Sequence, residues 1–281
     1  MAIPKLVNWQ PTASGLHQGA RLLGAVQQLT QEPQPAYLEL GLRLTGQSLA
    51  TGLLPSGGRL ILDFLTFSLV FQGKDQESET YQLNGYTQAQ VFNSLFGDLA
   101  NADLRDLLPP GKGLFERVSA GILSRGRYRL PEKGLLLDES PIQIDPQNVR
   151  NYLTSLQMVY TGLARMKATL TGMQTPLVVW PHGLDLSTLW FTGNEIDENQ
   201  PHMNFGYSPR SEGLPDPYYY AYAYPFSGSE APAPLPEGAR WHTQGWQGIL
   251  APYDLIAAQP DPADYIEKIS QIIFELLLPF L

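Results

Sequence analysis

The densest signal in the chain is the run Tyr218-Tyr219-Tyr220-Ala221-Tyr222-Ala223-Tyr224-Pro225, five of the fourteen tyrosines within eight residues. From Tyr220 it alternates tyrosine with alanine. A strand sends successive side chains to opposite faces, so Tyr220, Tyr222 and Tyr224 line one face with Ala221 and Ala223 behind them. One face is then aromatic and the other thin enough for a neighbour to approach closely. The row reads as the wall of a pocket or as plain core, and no other segment names a reaction.

Around this strand the chain carries four helical periods. The first follows Ser14 with Leu16, Ala20, Leu23 and Val26 and should end near Pro33 and Pro35. The second follows Thr87 with Val91, Phe92, Leu95, Phe96 and Leu99. The third and fourth open with the same device, Asp145-Pro146 and Asp261-Pro262, an acidic cap before a proline whose missing N–H costs nothing at the first helical position.

Strand signals fill the intervals: Tyr37 to Leu44, Ser48 to Leu54, Arg59 to Phe71 with a break, and Thr80 to Leu83, then Pro176 to Trp180, Leu184 to Phe191, Tyr218 to Tyr224 and Gly248 to Ala251. The order helix, four strands, helix thus occurs twice. Leu54-Pro55-Ser56-Gly57-Gly58-Arg59 also recurs as Leu235-Pro236-Glu237-Gly238-Ala239-Arg240. This is the pattern of an internal duplication with halves 14–107 and 141–281, whose pseudo-twofold packing would leave a groove, and equally of an ordinary α+β chain. The joint, 108–140, is too long for a plain connection. A second irregular segment, Gly193 to Pro217, interrupts the later half, and loops of this kind carry sites disproportionately.

Composition removes several function classes. Net charge is −9, with 18 Lys and Arg against 27 Asp and Glu. Phosphate backbones are bound through basic clusters, so nucleic acid is not an expected partner. The one basic stretch, Arg117, Arg125, Arg127, Arg129 and Lys133, has no interleaved aromatic rings and reads better as a solvated insertion than as an anion site. Cysteine is absent, which rules out disulfides, zinc-thiolate sites and thiol nucleophiles and suits a reducing cytoplasm. Met1 to Lys5 lacks a secretory pattern. The longest apolar run, Ile272 to Leu281, holds Glu275 and Pro279 and falls well short of the roughly 20 residues of a membrane span. A cytoplasmic protein without a membrane partner is expected.

Candidate chemistry concentrates in the later half. His182 and Asp185 lie three apart around Gly183, and on a strand such positions face opposite ways, so both would reach one ion only through a bend at the glycine. Glu195 to His202 is an acidic loop without the spacing of a calcium hand. His242 is flanked by Trp241 and Trp246, as a ring-stacking site or a hairpin tip would be. No nucleophile elbow, phosphate-cradling loop, zinc-protease helix or dinucleotide fingerprint is present, and nothing names a cofactor. The aromatics are more informative. Besides the tyrosine run there are Trp180, Trp190, Phe191, Phe205, Tyr207, Trp241, Trp246 and Tyr253, rings whose polar tips need partners when buried.

The motifs Leu49-Ala50-Thr51-Gly52-Leu53-Leu54-Pro55 with Leu62-Asp63-Phe64, Asp145-Pro146-Gln147-Asn148-Val149, and His182-Gly183-Leu184-Asp185-Leu186 followed by Phe191-Thr192-Gly193 occur in order along the chain. Phe205-Gly206-Tyr207, Tyr220 to Pro225 and Pro252-Tyr253-Asp254 continue the series. Together they resemble a family of bacterial proteins known only as a domain of unknown function. The resemblance spans roughly residues 30 to 275, which implies one family unit over 1–281 and no particular activity. Where the family commonly carries an Asp-His pair and a His-Glu pair, this chain has Thr66-Phe67 and Gln200-Pro201, which weakens an enzymatic reading of this member.

The expectation is therefore an α+β protein, with antiparallel strands in one sheet or two related sheets and about four helices on one side. Its function is read as binding a small, largely apolar or aromatic ligand against Tyr220, Tyr222 and Tyr224, with Trp241 and Tyr253 nearby and His182, Asp185 and Asp254 orienting it. The alternatives are a metal-dependent or acid/base enzyme using His182 and Asp185, and a structural or assembly protein, a homo-oligomer, suggested by low charge and the apolar tail Leu276 to Leu281.

Overall fold

A computed structural model describes residues 3–75, 77–111, 113–125, 132–226, 235–236 and 238–281, and these form two compact units. One unit comprises Pro11–Val149 with Val179–Leu184, the other Met1–Gln10, Arg150–Val178 and Asp185–Leu281. In chain order the elements are α1 (Trp9–Thr30), a 3-10 helix (Pro35–Leu40), β1 (Arg43–Thr45), β2 (Ser48–Ala50), β3 (Arg59–Asp63), β4 (Ser68–Gln72), β5 (Ser78–Gln82), α2 (Gln88–Asn101), α3 (Leu114–Ser124), α4 (Lys133–Leu136) and α5 (Pro146–Thr169). There follow β6 (Met173–Gln174), β7 (Val178–Trp180), β8 (Asp185–Phe191), β9 (His202–Ser208), β10 (Tyr218–Tyr224), β11 (Arg240–His242), β12 (Gly248–Pro252), α6 (Tyr253–Ala257), α7 (Pro262–Leu277) and a closing 3-10 turn, Leu278–Phe280.

The class is α+β with antiparallel sheets. The described residues form more helices than the four the periodicity predicts. The additional ones are short or, like α3, lie in the 108–140 joint, where Gly113 and Gly121 obscure the helical period. Gly121 is there for packing: a Cβ would stand 2.8 Å from the Leu107 carbonyl oxygen and from Leu29. Of the basic stretch, Arg127 and Arg129 lie outside the described residues, while the Arg117 Nε donates to the Pro109 carbonyl and Arg125 pairs with Glu32.

In the unit built on Pro11–Val149, β1 to β5 pair in sequential order as an antiparallel meander. Leu60 and Leu62 alternate with exposed or half-exposed neighbours and are fully buried, as a strand with one covered face requires. Gly19 of α1 comes close to the same layer: a Cβ there would lie 2.9 Å from Leu83 and 3.3 Å from Leu62. The helix therefore packs tightly on the sheet. The strand expected over Tyr37 to Leu44 is instead the 3-10 helix and a strand beginning only at Arg43. Pro35 opens that 3-10 turn, and Ala36 and Tyr37 both take left-handed backbone at φ +52, which breaks any extended run.

In the other unit the strand order is β11-β12-β10-β9-β8-β6, with β12 inserted between β11 and β10. Its connectivity thus differs from that of the meander. In the recurring motif, Gly57 and Gly238 both sit at positive φ, +87 and +84, just ahead of strands that begin at Arg59 and Arg240. Glu237 within it lies outside the described residues. Both proline-led helices begin where the sequence puts them, α5 at Pro146 and α7 at Pro262, whose cap Asp261 accepts from the Ala263 and Asp264 amides. The two helices meet at Gly162, where a Cβ would stand 2.5 Å from the Ala263 carbonyl oxygen.

β10 shows why the tyrosine–alanine alternation exists. Ala221 and Ala223 share a face with Tyr219, whose hydroxyl lies 2.8 Å from Ser270 Oγ on α7. Ser270 spends its own proton on the Ile266 carbonyl, so Tyr219 is the donor. Trp190 and Phe205 meet Phe274 of α7 from the same face, at ring-centroid distances of 4.8 and 6.5 Å. The thin side of β10 is the helix side. No helix among the described residues is long and apolar enough to cross a membrane.

Candidate functional site

The other face of β10 carries Tyr218, Tyr220, Tyr222 and Tyr224. Register places Ser208, Gly206, Asn204 and His202 of β9 directly opposite them, with Ser187, Leu189 and Phe191 of β8 next in line beyond Gly206, Asn204 and His202. Directly paired residues share a face. The result is an aromatic layer with a short series of polar groups threaded through it.

Two glycines make the layer possible. Tyr220 lies across Gly206, where a Cβ would stand 2.3 Å from its Cζ. By crossing β9 in this way its hydroxyl reaches Asp185 Oδ2 on β8, donating at 2.6 Å. Gly248 of β12 does the same for Trp246: a Cβ would meet the indole at 2.6 Å and Tyr222 Cβ at 2.9 Å. A glycine within a strand often marks this kind of close approach.

The rings run continuously. His242 and Trp246 are 4.5 Å apart, Trp246 meets Tyr220 edge-on at 6.0 Å, and Tyr220 and Tyr222 stand parallel within 9° at 6.3 Å. His202 continues the layer to Tyr224 at 5.3 Å and to Phe191 at 5.6 Å. Exposure is graded along it. Tyr220 is 8% exposed and Tyr224 49%, with Tyr222 and Trp246 half-buried between them. The open end is thus Tyr222, Tyr224 and Trp246, while Tyr218 and Tyr220 form the sealed end.

Electrostatics set the protonation states. Burial, followed by the Asp185 charge, raises the Tyr220 phenol well above the ordinary value, so it stays a donor. Burial likewise raises Tyr222, with Asp185 and Glu198 adding to the effect. Burial lowers His202 despite the hydrogen bond its Nδ1 makes with the Gln200 carbonyl at 2.8 Å. A carbonyl only accepts, so Nδ1 carries the proton and the neutral ring keeps a lone pair on Nε2. Asn204, 8% exposed, donates through Nδ2 to the Tyr222 hydroxyl at 2.9 Å, and its buried Oδ1 has no partner among the described residues.

Of the residues singled out from the sequence, this face collects Tyr220, Tyr222, Tyr224 and Asp185. Trp241 belongs to the opposite face: it pairs with Ile249, in line with Ala221, and its ring meets Phe226 at 5.8 Å. Strand alternation explains this, since Arg240 and His242 take the tyrosine side. Tyr253 donates to the Pro4 carbonyl at 2.6 Å and Asp254 is exposed in the first turn of α6, so neither joins the row. His182 belongs to the unit built on Pro11–Val149, where its carbonyl accepts from the His17 ring at 2.7 Å. The bend between His182 and Asp185 is present, but its left-handed residue is Leu184 at φ +57. In the acidic loop, Asp197 is engaged by the amide and side chain of Asn199. Among the described residues no three His, Asp or Glu side chains are placed to hold a metal ion.

The sequence does not point to Asn204 or Ser187, and it marks Gly206 and Gly248 only as parts of a motif and a strand, with no role at the site. Their signal is faint: a polar residue and a glycine inside strands that are buried on both faces.

Comparison with known proteins gives a match to the model of a family of unknown function, DUF5996, over residues 135–276. No curated protein and no solved structure matches the chain. The matched range contains every residue of the tyrosine face.

Proposed function

The chain belongs to the family of unknown function DUF5996, and for it we propose binding of a small, neutral, largely planar ligand at the open end of the tyrosine face. The observation that carries this reading is the graded aromatic layer ending at Tyr222, Tyr224 and Trp246 beside a buried amide oxygen that has no partner among the described residues. Rings supply apolar contact at little entropic cost, and a few convergent polar groups fix orientation. In this reading the partner is a small molecule in the cytoplasm. Nucleic acid is a poor match to a net charge of −9, and no second copy of the chain is needed.

The enzymatic alternative using His182 and Asp185 draws on one observation, the hydrogen bond that Tyr220 gives Asp185. Burial, followed by the Asp185 charge, keeps the phenol protonated, which makes it a positioning donor and not a base.

A thermal-shift panel of neutral planar aromatics and their charged analogues tests the proposal. Binding to the folded state alone adds about 2.7 kcal/mol of apparent stability at a hundredfold excess over Kd. Stabilisation by neutral planar compounds, lost in Tyr222→Ala, supports the reading. Stabilisation only by anions or metals contradicts it.

A further inference from the structure

The chemistry of the ligand's polar edge follows from hydrogen-bond inventory, and it rests on the binding reading above. Asn204 is buried to more than nine-tenths, and its amide has two ends. Nδ2 is spent on the Tyr222 hydroxyl, and among the described residues Oδ1 is without a partner. A buried carbonyl oxygen left bare loses its hydration without compensation, so the position is built for a group that donates. The Tyr222 hydroxyl accepts from Asn204, which leaves its own proton to give. Side by side the two residues thus present one acceptor and one donor. Charge narrows the ligand further. Asp185 and Glu198 both act on the Tyr222 hydroxyl, and each disfavours a second negative charge there.

We propose that Asn204 and Tyr222 together recognise a neutral amide-like edge, an N–H beside a carbonyl or ring nitrogen, carried on a planar ring that packs against Tyr222 and Trp246. The N–H donates to Asn204 Oδ1, and the adjacent acceptor takes the Tyr222 proton. Primary carboxamides, lactams and amino-substituted nitrogen heterocycles have this edge. Carboxylates and phosphate esters do not. His202 bounds the same end, its ring 6.3 Å from that of Tyr222. As the neutral tautomer fixed by Gln200 it adds a lone pair and no charge.

The test uses the full chain and four probes: benzamide, N,N-dimethylbenzamide, benzoate and toluene, each titrated against indole fluorescence and by saturation-transfer NMR. Benzamide is expected to bind about tenfold more tightly than N,N-dimethylbenzamide, the equivalent of one buried hydrogen bond, and benzoate not at all. In Asn204→Leu the preference for benzamide should vanish while toluene binding persists. Equal affinity of benzamide and its dimethyl analogue for the native chain overturns the inference whatever the variants do. A preference for benzoate overturns it as well. Silence of all four probes overturns the binding reading beneath it, and toluene binding without discrimination removes only the polar edge.

Discussion

Tyr220 reaches across Gly206 to Asp185, placing its hydroxyl 2.6 Å from Oδ2 on the second strand over. Three neighbouring strands are thereby locked by one side chain, which joins the sealed end of the aromatic layer to the carboxylate at the start of β8. The contact fixes where the layer is closed, and so where it is open.

Gly206→Ala should destabilise the protein by about 1–3 kcal/mol, the cost of overpacking a tight contact. The new Cβ would fall 2.3 Å from Tyr220 Cζ and 2.5 Å from its hydroxyl. In a urea-unfolding double-mutant cycle the penalty should shrink when Tyr220 is also truncated to alanine. An unchanged penalty would mean that the glycine serves some other contact.

Tyr220→Phe keeps the ring and removes the donor to Asp185, with an expected loss of about 1.5–3 kcal/mol for a hydrogen bond to a charged group. The same phenol predicts a pH dependence. Its folded-state pKa is raised well above 10.0, as are those of Tyr207 and Tyr219, in each case chiefly by burial. Their contribution is fully present below pH 10 and is lost above it, because the unfolded chain's tyrosines release protons that the buried ones must keep. Phenolate absorbance in an alkaline titration should therefore rise in two stages, the later coinciding with loss of near-ultraviolet circular dichroism.

Lys167 provides a test of opposite sign. Its ammonium donates to the Thr175 carbonyl, Gln174 Oε1 and Thr188 Oγ1, and burial pushes its pKa down to about 8. A depressed lysine binds fewer protons when folded, so native stability should rise between about pH 8 and 10.5 relative to Lys167→Met. Urea midpoints of the two proteins across that range check it. Parallel curves would show that the lysine titrates normally.

At the start of α2, Thr87 and Gln90 form a reciprocal cap: Thr87 Oγ1 accepts from the Gln90 amide and Gln90 Oε1 from the Thr87 amide. Thr87→Ala should cost about 1 kcal/mol, and Thr87→Ser much less, in the same unfolding assay.

How much of this was legible in the sequence depended on whether a signal was local. The Asp-Pro pairs place α5 and α7 correctly because capping involves only adjacent residues. The alternation of β10 places Tyr220, Tyr222 and Tyr224 on one face because a strand's period is strict, and the structure adds Tyr218 to them. β9 was hidden inside a segment that reads as a loop. All seven of its residues are buried, so it lacks the polar–apolar alternation that marks a strand with one wet face. Asn204 lies on that strand, so the polar centre of the site is hidden with it. Trp241 shows the converse: rich aromatic context drew it into the site, but its place in the alternation turns it to the helix side. His182 and Asp185 are three residues apart in sequence yet belong to different compact units, a fact that spacing alone does not encode.

The most direct test of the binding reading is an NMR titration of protein labelled on its tyrosine and tryptophan rings, with benzamide as the probe. Saturable shifts are expected on Tyr222, Tyr224 and Trp246, with Tyr219 and Tyr207 unmoved, and these shifts should be lost in Gly248→Ala, whose Cβ would press on the Trp246 indole at 2.6 Å. Saturable shifts centred on other rings, or no saturable shift at all, would contradict it.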